Sequence, residues 1–178
     1  MATHFYTASS LDGFIATPDH SLDWLFAQDF DFEGPMAYPA FSAGIGALVM
    51  GASTYEWLLA ADEGWQYEQP AWVFTHRDLP VIEGADIRFV QGDVREMHSA
   101  AARAADGKDV WVMGGGDLAG QFADAGLLDE VWVQYAPVML GEGRPLFPRR
   151  LHLELLDTAR NRDFVCARYG VMHDSPLG

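Results

Sequence analysis

Two segments of the chain repeat one pattern, an apolar strand followed by glycine and then by a helix. In ALVMGASTYEW, a predicted strand over 47–50 runs through Gly51 into a predicted helix over 53–60. In VWVMGGGDLAGQF, a strand over 109–113 meets three consecutive glycines before a helix over 118–125. Strands that alternate with helices in this way are typical of a parallel sheet with crossover helices.

The rest of the chain extends this pattern and then changes it. Helices are predicted over 34–43 and 94–105, and Asp93 and Glu96 have the spacing of a capping box for the second of them. Further strands are predicted over 3–10, 71–75, 87–90, 130–139, 151–160 and 163–172. No helix separates the last three strands, so they must pair largely antiparallel. The sequence therefore predicts a single three-layer α/β domain over residues 1–178, with a mixed, mostly parallel sheet and an antiparallel C-terminal edge.

Composition excludes several classes of function. The chain has 178 residues and a formal net charge of −15, which argues against nucleic acid and against anionic membranes as partners. No apolar run reaches ~18 residues, and the N-terminal MATHFYTASS lacks the features of a signal peptide, so no membrane span and a cytoplasmic location are expected. Cys166 is the only cysteine, so neither a disulfide framework nor a metal site is expected.

The two helix starts predict an anion site. A helix that begins just past a parallel strand directs its free amides to the carboxyl edge of the sheet, and two such starts side by side could hold a pyrophosphate. The Ser53-to-Glu56 spacing also predicts a capping box at the first start. Directed bonds to charged oxygens, at ~1.5–3 kcal/mol each, would outweigh a dipole contribution of ~0.3–1 kcal/mol. The alternative is that the glycines only permit tight turns.

Four segments, in order, resemble a known family. They are SLDGFIATPDHSLDWL (10–25), VMGASTYE (49–56), VMGGGDLAGQFADAGLLDE (112–130) and APVMLGEGRPLF (136–147). The chain resembles the dihydrofolate reductase-like fold, in particular the group named after the C-terminal reductase domain of the bifunctional riboflavin-biosynthesis protein. The resemblance implies an eight-stranded mixed sheet, bound NADPH, a small-molecule substrate and, as in many relatives, a possible homodimer.

The resemblance also implies which residues hold the cofactor. Ala8, Gly13, Phe14 and Ile15 would flank the nicotinamide, as would Asp12. The cofactor phosphates and the adenosine ribose with its 2′-phosphate would contact Gly51, Ser53, Thr54, Thr75, His76 and Arg77. The pyrophosphate would lie on Gly114, Gly115, Gly116, Asp117 and Leu118, with a cis peptide expected at Gly114–Gly115. Family members often carry Arg or Lys where this chain has Ala52, so NADH is also possible unless Arg77 compensates.

Substrate residues are implied less directly. Asp23 is the predicted catalytic carboxylate, although Asp is also a common helix N-cap. Asp12, Trp24 and Gln134 are the predicted substrate contacts, although Asp-Gly is also a common turn pair. The expected function is hydride transfer to a planar pteridine- or pyrimidine-like heterocycle. A non-catalytic dinucleotide-binding module and a true dihydrofolate reductase remain the alternatives.

Other residues are interpreted as structural. Five histidines show no ligand spacing and are expected at the surface or as hydrogen-bonded polar positions: His4, His20, His98, His152 and His173. GEGRPLF (141–147) is interpreted as a turn or as part of a dimer contact. Most tryptophans are expected in the core, with Trp24, Trp57 and Trp65 as candidates to line a flat cavity.

Overall fold

A twisted mixed sheet organises the computed structural model, which describes residues 1–61 and 64–173. The strands within these ranges are β1 (Thr3–Ser10), β2 (Phe14–Ala16), β3 (Ile45–Gly51), β4 (Ala71–Phe74), β5 (Ile87–Val90), β6 (Asp109–Gly114), β7 (Glu130–Ala136), β8 (Arg144–Pro145), β9 (Leu153–Asn161) and β10 (Phe164–Val171). The helices are α1 (Asp23–Phe26), α2 (Tyr38–Ser42), α3 (Ala52–Ala60), α4 (Val94–Ala104) and α5 (Gly116–Asp124).

The strand order confirms the predicted topology. Eight strands form the main sheet in the order β5-β4-β3-β6-β1-β7-β10-β9, and β2 pairs with β8 in a separate two-stranded ribbon. In this spatial order, the first six strands, β5-β4-β3-β6-β1-β7, are all parallel to their neighbours, whereas β10 is antiparallel to both β7 and β9. The C-terminal edge is antiparallel because no helix separates these strands and a parallel connection would need a long crossover.

Helices cover both faces of the sheet centre. Tyr55 of α3 packs with Met50 and Val73 on one face. Ala101 of α4 and Phe122 of α5 pack with Val112 on the other face. Central strands are therefore buried on both sides, which explains the unbroken apolar run at the end of β3. No helix in the described part of the chain is both long enough and apolar enough to cross a bilayer.

The helix boundaries correct some of the local predictions. Asp93 caps α4 as predicted, with its carboxylate accepting the Arg95 N–H at 2.8 Å. The capping box predicted for Ser53 is wrong, because Gly51 is the N-cap of α3 and no side chain caps that helix. The helix predicted over 34–43 is reduced to the five residues of α2, in which Pro39 occupies the first turn.

Candidate active site

The two predicted helix starts lie side by side. β3 and β6 are adjacent parallel strands, and Met50 pairs with Gly114 at their carboxyl ends. α3 begins directly after β3, and α5 begins after the single residue Gly115. Neither start carries a side-chain cap. The first-turn amides of both helices have no intrahelical partner, so this rim of the sheet offers two neighbouring sets of donors to an anion.

Each glycine of the run has a conformational or packing reason of its own. A Cβ on Gly114 would overlap the hydroxyl of Thr54, and one on Gly116 would overlap the carbonyl oxygens of Pro145 and Leu146. Gly115 has a φ of +86°, a conformation that L side chains rarely adopt. Packing within the protein therefore accounts for Gly114 and Gly116, and backbone conformation accounts for Gly115.

The prediction of a cis peptide bond at Gly114–Gly115 is wrong. Every peptide bond in the part of the chain that the structure describes is trans. Gly115, with its positive φ, is instead the single residue that connects β6 to α5.

A cavity of about 420 Å³ opens beside the two helix starts. Its surface is mostly apolar, and Trp57 stacks on Phe26 of α1 with ring centroids 6.0 Å apart, which joins α1 to α3. The cavity is lined by Thr7, Ile15, Ala16, His20, Leu22, Ser53, Thr54, Trp57, Met113, Gly114, Gly115, Gly116, Asp117, Arg144, Pro145 and Pro148.

One wall of the cavity is the two-stranded ribbon. Phe14 pairs with Pro145, and the Leu146 N–H donates to the Gly13 carbonyl at 2.8 Å. Asp12 fastens the base of this ribbon. Its carboxylate accepts the Ser10 hydroxyl at 2.6 Å and two backbone amides, those of Leu140 at 3.1 Å and Gly141 at 2.6 Å. These hydrogen bonds, led by that from Ser10, lower the pKa of Asp12 to about 2.

The structure brings only some of the predicted cofactor residues to the cavity. Those in its lining are Ile15, Ser53, Thr54, Gly114, Gly115, Gly116 and Asp117. The predicted site residues outside the lining are Ala8, Asp12, Gly13, Phe14, Gly51, Asp23, Trp24, Thr75, His76, Arg77, Leu118 and Gln134. Gly51 is nevertheless the N-cap of α3, and 75–77 directly follows β4, the strand next to β3. Leu118 is buried in the core beneath α5.

The predicted substrate residues have contrasting surroundings. Asp23 is exposed and is the first residue of α1, with Leu22 as N-cap, so its alternative role as the N-cap is wrong. Gln134 is buried and donates to the Met36 carbonyl at 3.3 Å, and Trp24 packs in the cluster that contains Met36. Trp24 Nε1 and Gln134 Oε1 are both buried without a hydrogen-bond partner. A buried donor and a buried acceptor are therefore available in this part of the molecule.

Three polar lining residues were not predicted, namely Thr7, His20 and Arg144. His20 lies in the cavity wall with a φ of +67°, and Arg144 of β8 donates to the Pro18 carbonyl at 3.1 Å. No carboxylate of the described residues lies in ion-pair range of Arg144. GEGRPLF thus contributes a cavity wall as well as a turn. Its partner is β2, and no local pattern in the sequence indicates that pairing.

Ion pairs set the charge around the helix starts. Arg149 donates to the carboxylates of Asp117 and Asp124, each at 2.7 Å. The hydrogen bond from Arg149, together with a second from Gln121, lowers the pKa of Asp117. Arg77 forms a two-bond pair with Glu56 of α3, at 2.7 and 2.9 Å. The rim formed by the two helix starts is thus bordered by carboxylates that arginines neutralise.

The strand order, with helices on both faces of the sheet, is that of a dihydrofolate reductase-like fold. Dihydrofolate reductase from Enterococcus faecalis, solved with NADP(H), superposes with a TM-score of 0.58 at 16% identity over 97% of each chain. Acinetobacter baumannii RibD gives a TM-score of 0.66 at 18% identity, covering 96% of this chain and 58% of that one. At these identities both likenesses are likenesses of fold.

Sequence comparison narrows this class to a family. The sequence model described as the RibD C-terminal domain matches residues 61–165. The uncharacterized protein YwjB of Bacillus subtilis (strain 168) is 32% identical over 146 residues, 82% of each chain. A candidate riboflavin biosynthesis protein from Shewanella sp. PV-4 has a TM-score of 0.83 at 25% identity, covering 97% of this chain and 100% of that one. The chain belongs to the RibD C-terminal domain family, and the resemblance drawn from its motifs is confirmed.

Proposed function

We propose that the protein is a nicotinamide-dependent reductase that uses NADPH, with NADH also possible, to reduce a small planar heterocycle of the pteridine or pyrimidine type. One observation carries the proposal: two uncapped helix starts on adjacent strands border one mostly apolar cavity. Membership of a family with a reductase fold supports it. The cavity volume of about 420 Å³ is within the range of small-molecule sites.

The residues at the rim suit a dinucleotide. The first-turn amides after Gly51 and Gly115 can donate to a pyrophosphate, and the Ser53 and Thr54 hydroxyls lie in the same lining. A Cβ on Gly51 would meet no atom within 4 Å, so the backbone there is open to a ligand. When bound, the nicotinamide group supplies a hydride to the substrate.

The chain's own residues orient the ligands and exclude water. Ile15, Trp57 and Met113 give the cavity flat and apolar walls that can hold two rings in contact. Trp24 Nε1 and Gln134 Oε1 are buried and lie outside this lining, so the cavity does not present them to a heterocycle. Asp12 acts by fixing the ribbon against which the ligand rests.

A proton must accompany the hydride. We propose Asp23, which follows the lining residue Leu22, or a water bound beside it as the proton source. His20 is the competing source, because it is itself in the lining.

Titration of tryptophan fluorescence with NADPH and with NADH tests the proposal, since Trp57 lies in the cavity wall. Saturable quenching by at least one nucleotide is expected. No response to either at millimolar concentration would contradict the reductase function. Binding without turnover of any pteridine or pyrimidine would favour a binding module, and turnover of dihydrofolate would favour a true folate reductase.

A homodimer is also proposed, through β9, which has β10 as its only strand partner in the described part of the chain. Leu153, Leu155 and Leu156 of this edge strand are exposed, and an unpaired apolar edge is a template for pairing with another strand. A second copy of the chain is the expected occupant, because two antiparallel copies of one edge can satisfy each other. Light scattering should give the mass of a dimer for the protein and of a monomer for Leu155→Glu; a monomeric parent protein would contradict this.

A further inference from the structure

The sheet order determines where the two halves of a dinucleotide can lie. The helix starts follow β3 and β6, and the cavity extends from them toward β1 and the β2–β8 ribbon. A ligand with its pyrophosphate at the helix starts and one ring in the cavity therefore has its other half on the β4 side. The segment 75–77 lies there, directly after β4. This step rests on the proposed function.

The cation on that side is already paired. Arg77 Nη1 and Nη2 donate to the two carboxylate oxygens of Glu56, at 2.7 and 2.9 Å, in a two-bond arrangement. The turn below is fixed as well, because the Arg77 N–H donates to the Thr75 hydroxyl at 2.9 Å. Ala52, at the first position of α3, adds no charge. On this side of the site, Arg77 and Glu56 therefore neutralise each other.

These two groups act oppositely on the two nicotinamide nucleotides. A carboxylate accepts a hydrogen bond from a ribose 2′-hydroxyl, whereas an arginine favours a 2′-phosphate. A 2′-phosphate would have to take the guanidinium from Glu56 and would leave that carboxylate unpaired beside a dianion. A ribose with a free 2′-hydroxyl requires no such rearrangement.

We propose that the Glu56–Arg77 pair determines nucleotide preference, and that it removes the advantage a 2′-phosphate would otherwise have. The site then accepts NADH about as well as NADPH. Both side chains are about half exposed, 40% for Glu56 and 55% for Arg77, so water screens the pair and its effect is moderate. Glu56 is a specificity-determining residue in this scheme and takes no part in hydride transfer.

Fluorescence titration of the full chain measures the preference without any substrate. The dissociation constants of the protein for NADPH and NADH should lie within about tenfold of each other. Glu56→Gln frees the guanidinium and removes the negative charge, so it should tighten NADPH about fivefold, or ~1 kcal/mol, relative to NADH. Asp86→Asn is the matched control. It removes one carboxylate from another exposed pair, with Arg88 at 3.0 Å, before the amino end of β5, and should leave the ratio unchanged.

A second variant tests the same pair independently in case Glu56→Gln does not fold. Arg77→Ala leaves Glu56 unpaired, so it should weaken NADPH several-fold more than NADH. A preference of the parent protein for NADPH above 100-fold, or an unchanged ratio in Glu56→Gln, would overturn the inference while leaving the proposed function intact. If neither nucleotide binds, both are overturned.

Discussion

Thr54, in the first turn of α3, packs directly against Gly114, the last residue of β6. The contact is so close that a Cβ on Gly114 would overlap the Thr54 hydroxyl and lie 3.0 Å from its methyl carbon. The start of α3 therefore packs on the end of β6, the strand that leads into α5. The spacing of the two helix starts proposed to bind the pyrophosphate depends on this contact.

Gly114→Ala should damage both stability and nucleotide binding. The new methyl group must displace Thr54, and overpacking of this kind costs roughly 1–3 kcal/mol. Urea denaturation measures the loss of stability, and fluorescence titration measures the loss of affinity. Full retention of both would contradict the close approach of α3 to β6.

Gly51→Ala is the matched substitution at the other helix start. Its Cβ would meet no protein atom within 4 Å, and its φ of −86° suits alanine, so the free energy of unfolding should stay unchanged to within about 0.5 kcal/mol. A drop in nucleotide affinity with unchanged stability would show that a ligand approaches this backbone. Unchanged affinity would place the pyrophosphate elsewhere.

Asp12 should make stability depend on acid pH. Its pKa in the folded protein is lowered to about 2 from an ordinary value of 3.8, so its contribution to stability is complete above the ordinary value and is lost as the pH falls toward 2. Asp12→Asn should therefore lower the urea midpoint at neutral pH, and the difference from the parent protein should shrink near pH 2. A difference that is the same at both pH values would contradict the role of the charged form.

Arg144 should contribute to the binding of anionic ligands. It is an arginine of the cavity lining whose only hydrogen bond within residues 1–61 and 64–173 is to the Pro18 carbonyl, so its charge is available to a phosphate. Arg144→Gln should weaken NADPH and NADH alike, by about fivefold or ~1 kcal/mol. Arg150→Gln is the control for net charge, because Arg150 is exposed and lies outside the lining. Equal effects of the two variants would show that only long-range charge matters.

Asp23→Asn and His20→Gln together test the proton source. We expect Asp23→Asn to lower the turnover number at least about 100-fold, since general acid catalysis contributes roughly 10²–10⁴-fold. The nucleotide dissociation constant should not change. Loss of turnover in His20→Gln with full activity in Asp23→Asn would assign the proton to His20 instead.

The parts of the fold that the sequence predicted are those determined by local patterns. Apolar runs followed by glycine placed β3, β6 and the helices after them, because a strand buried on both faces must be apolar throughout. Asp93 was recognised as a cap because capping is a contact across two or three residues. The antiparallel edge followed from the absence of helices between strands.

Contacts between distant segments explain what the sequence did not predict. Glu56 has the spacing of a capping partner but bonds Arg77, 21 positions away, and Gly51 takes the N-cap position. Arg144 reaches the cavity because β8 pairs with β2, across more than a hundred residues, and it bonds the Pro18 carbonyl two positions before the lining residue His20. Local propensity and residue spacing carry no information about such pairings. The family resemblance therefore predicted lining residues at the two helix starts but did not predict His20 or Arg144 in the wall.

The β2–β8 ribbon contributes to the cavity through its side chains and to the scaffold through its backbone. It is a sheet of its own, fastened by Asp12, and the carbonyls of Pro145 and Leu146 lie against Gly116 at the start of α5. Replacement of the Ile15 or Arg144 side chain can therefore reshape one wall of the cavity, whereas a shift of the backbone at 145–146 would disturb the packing of a helix start. The chemistry of this wall can thus be varied separately from its position.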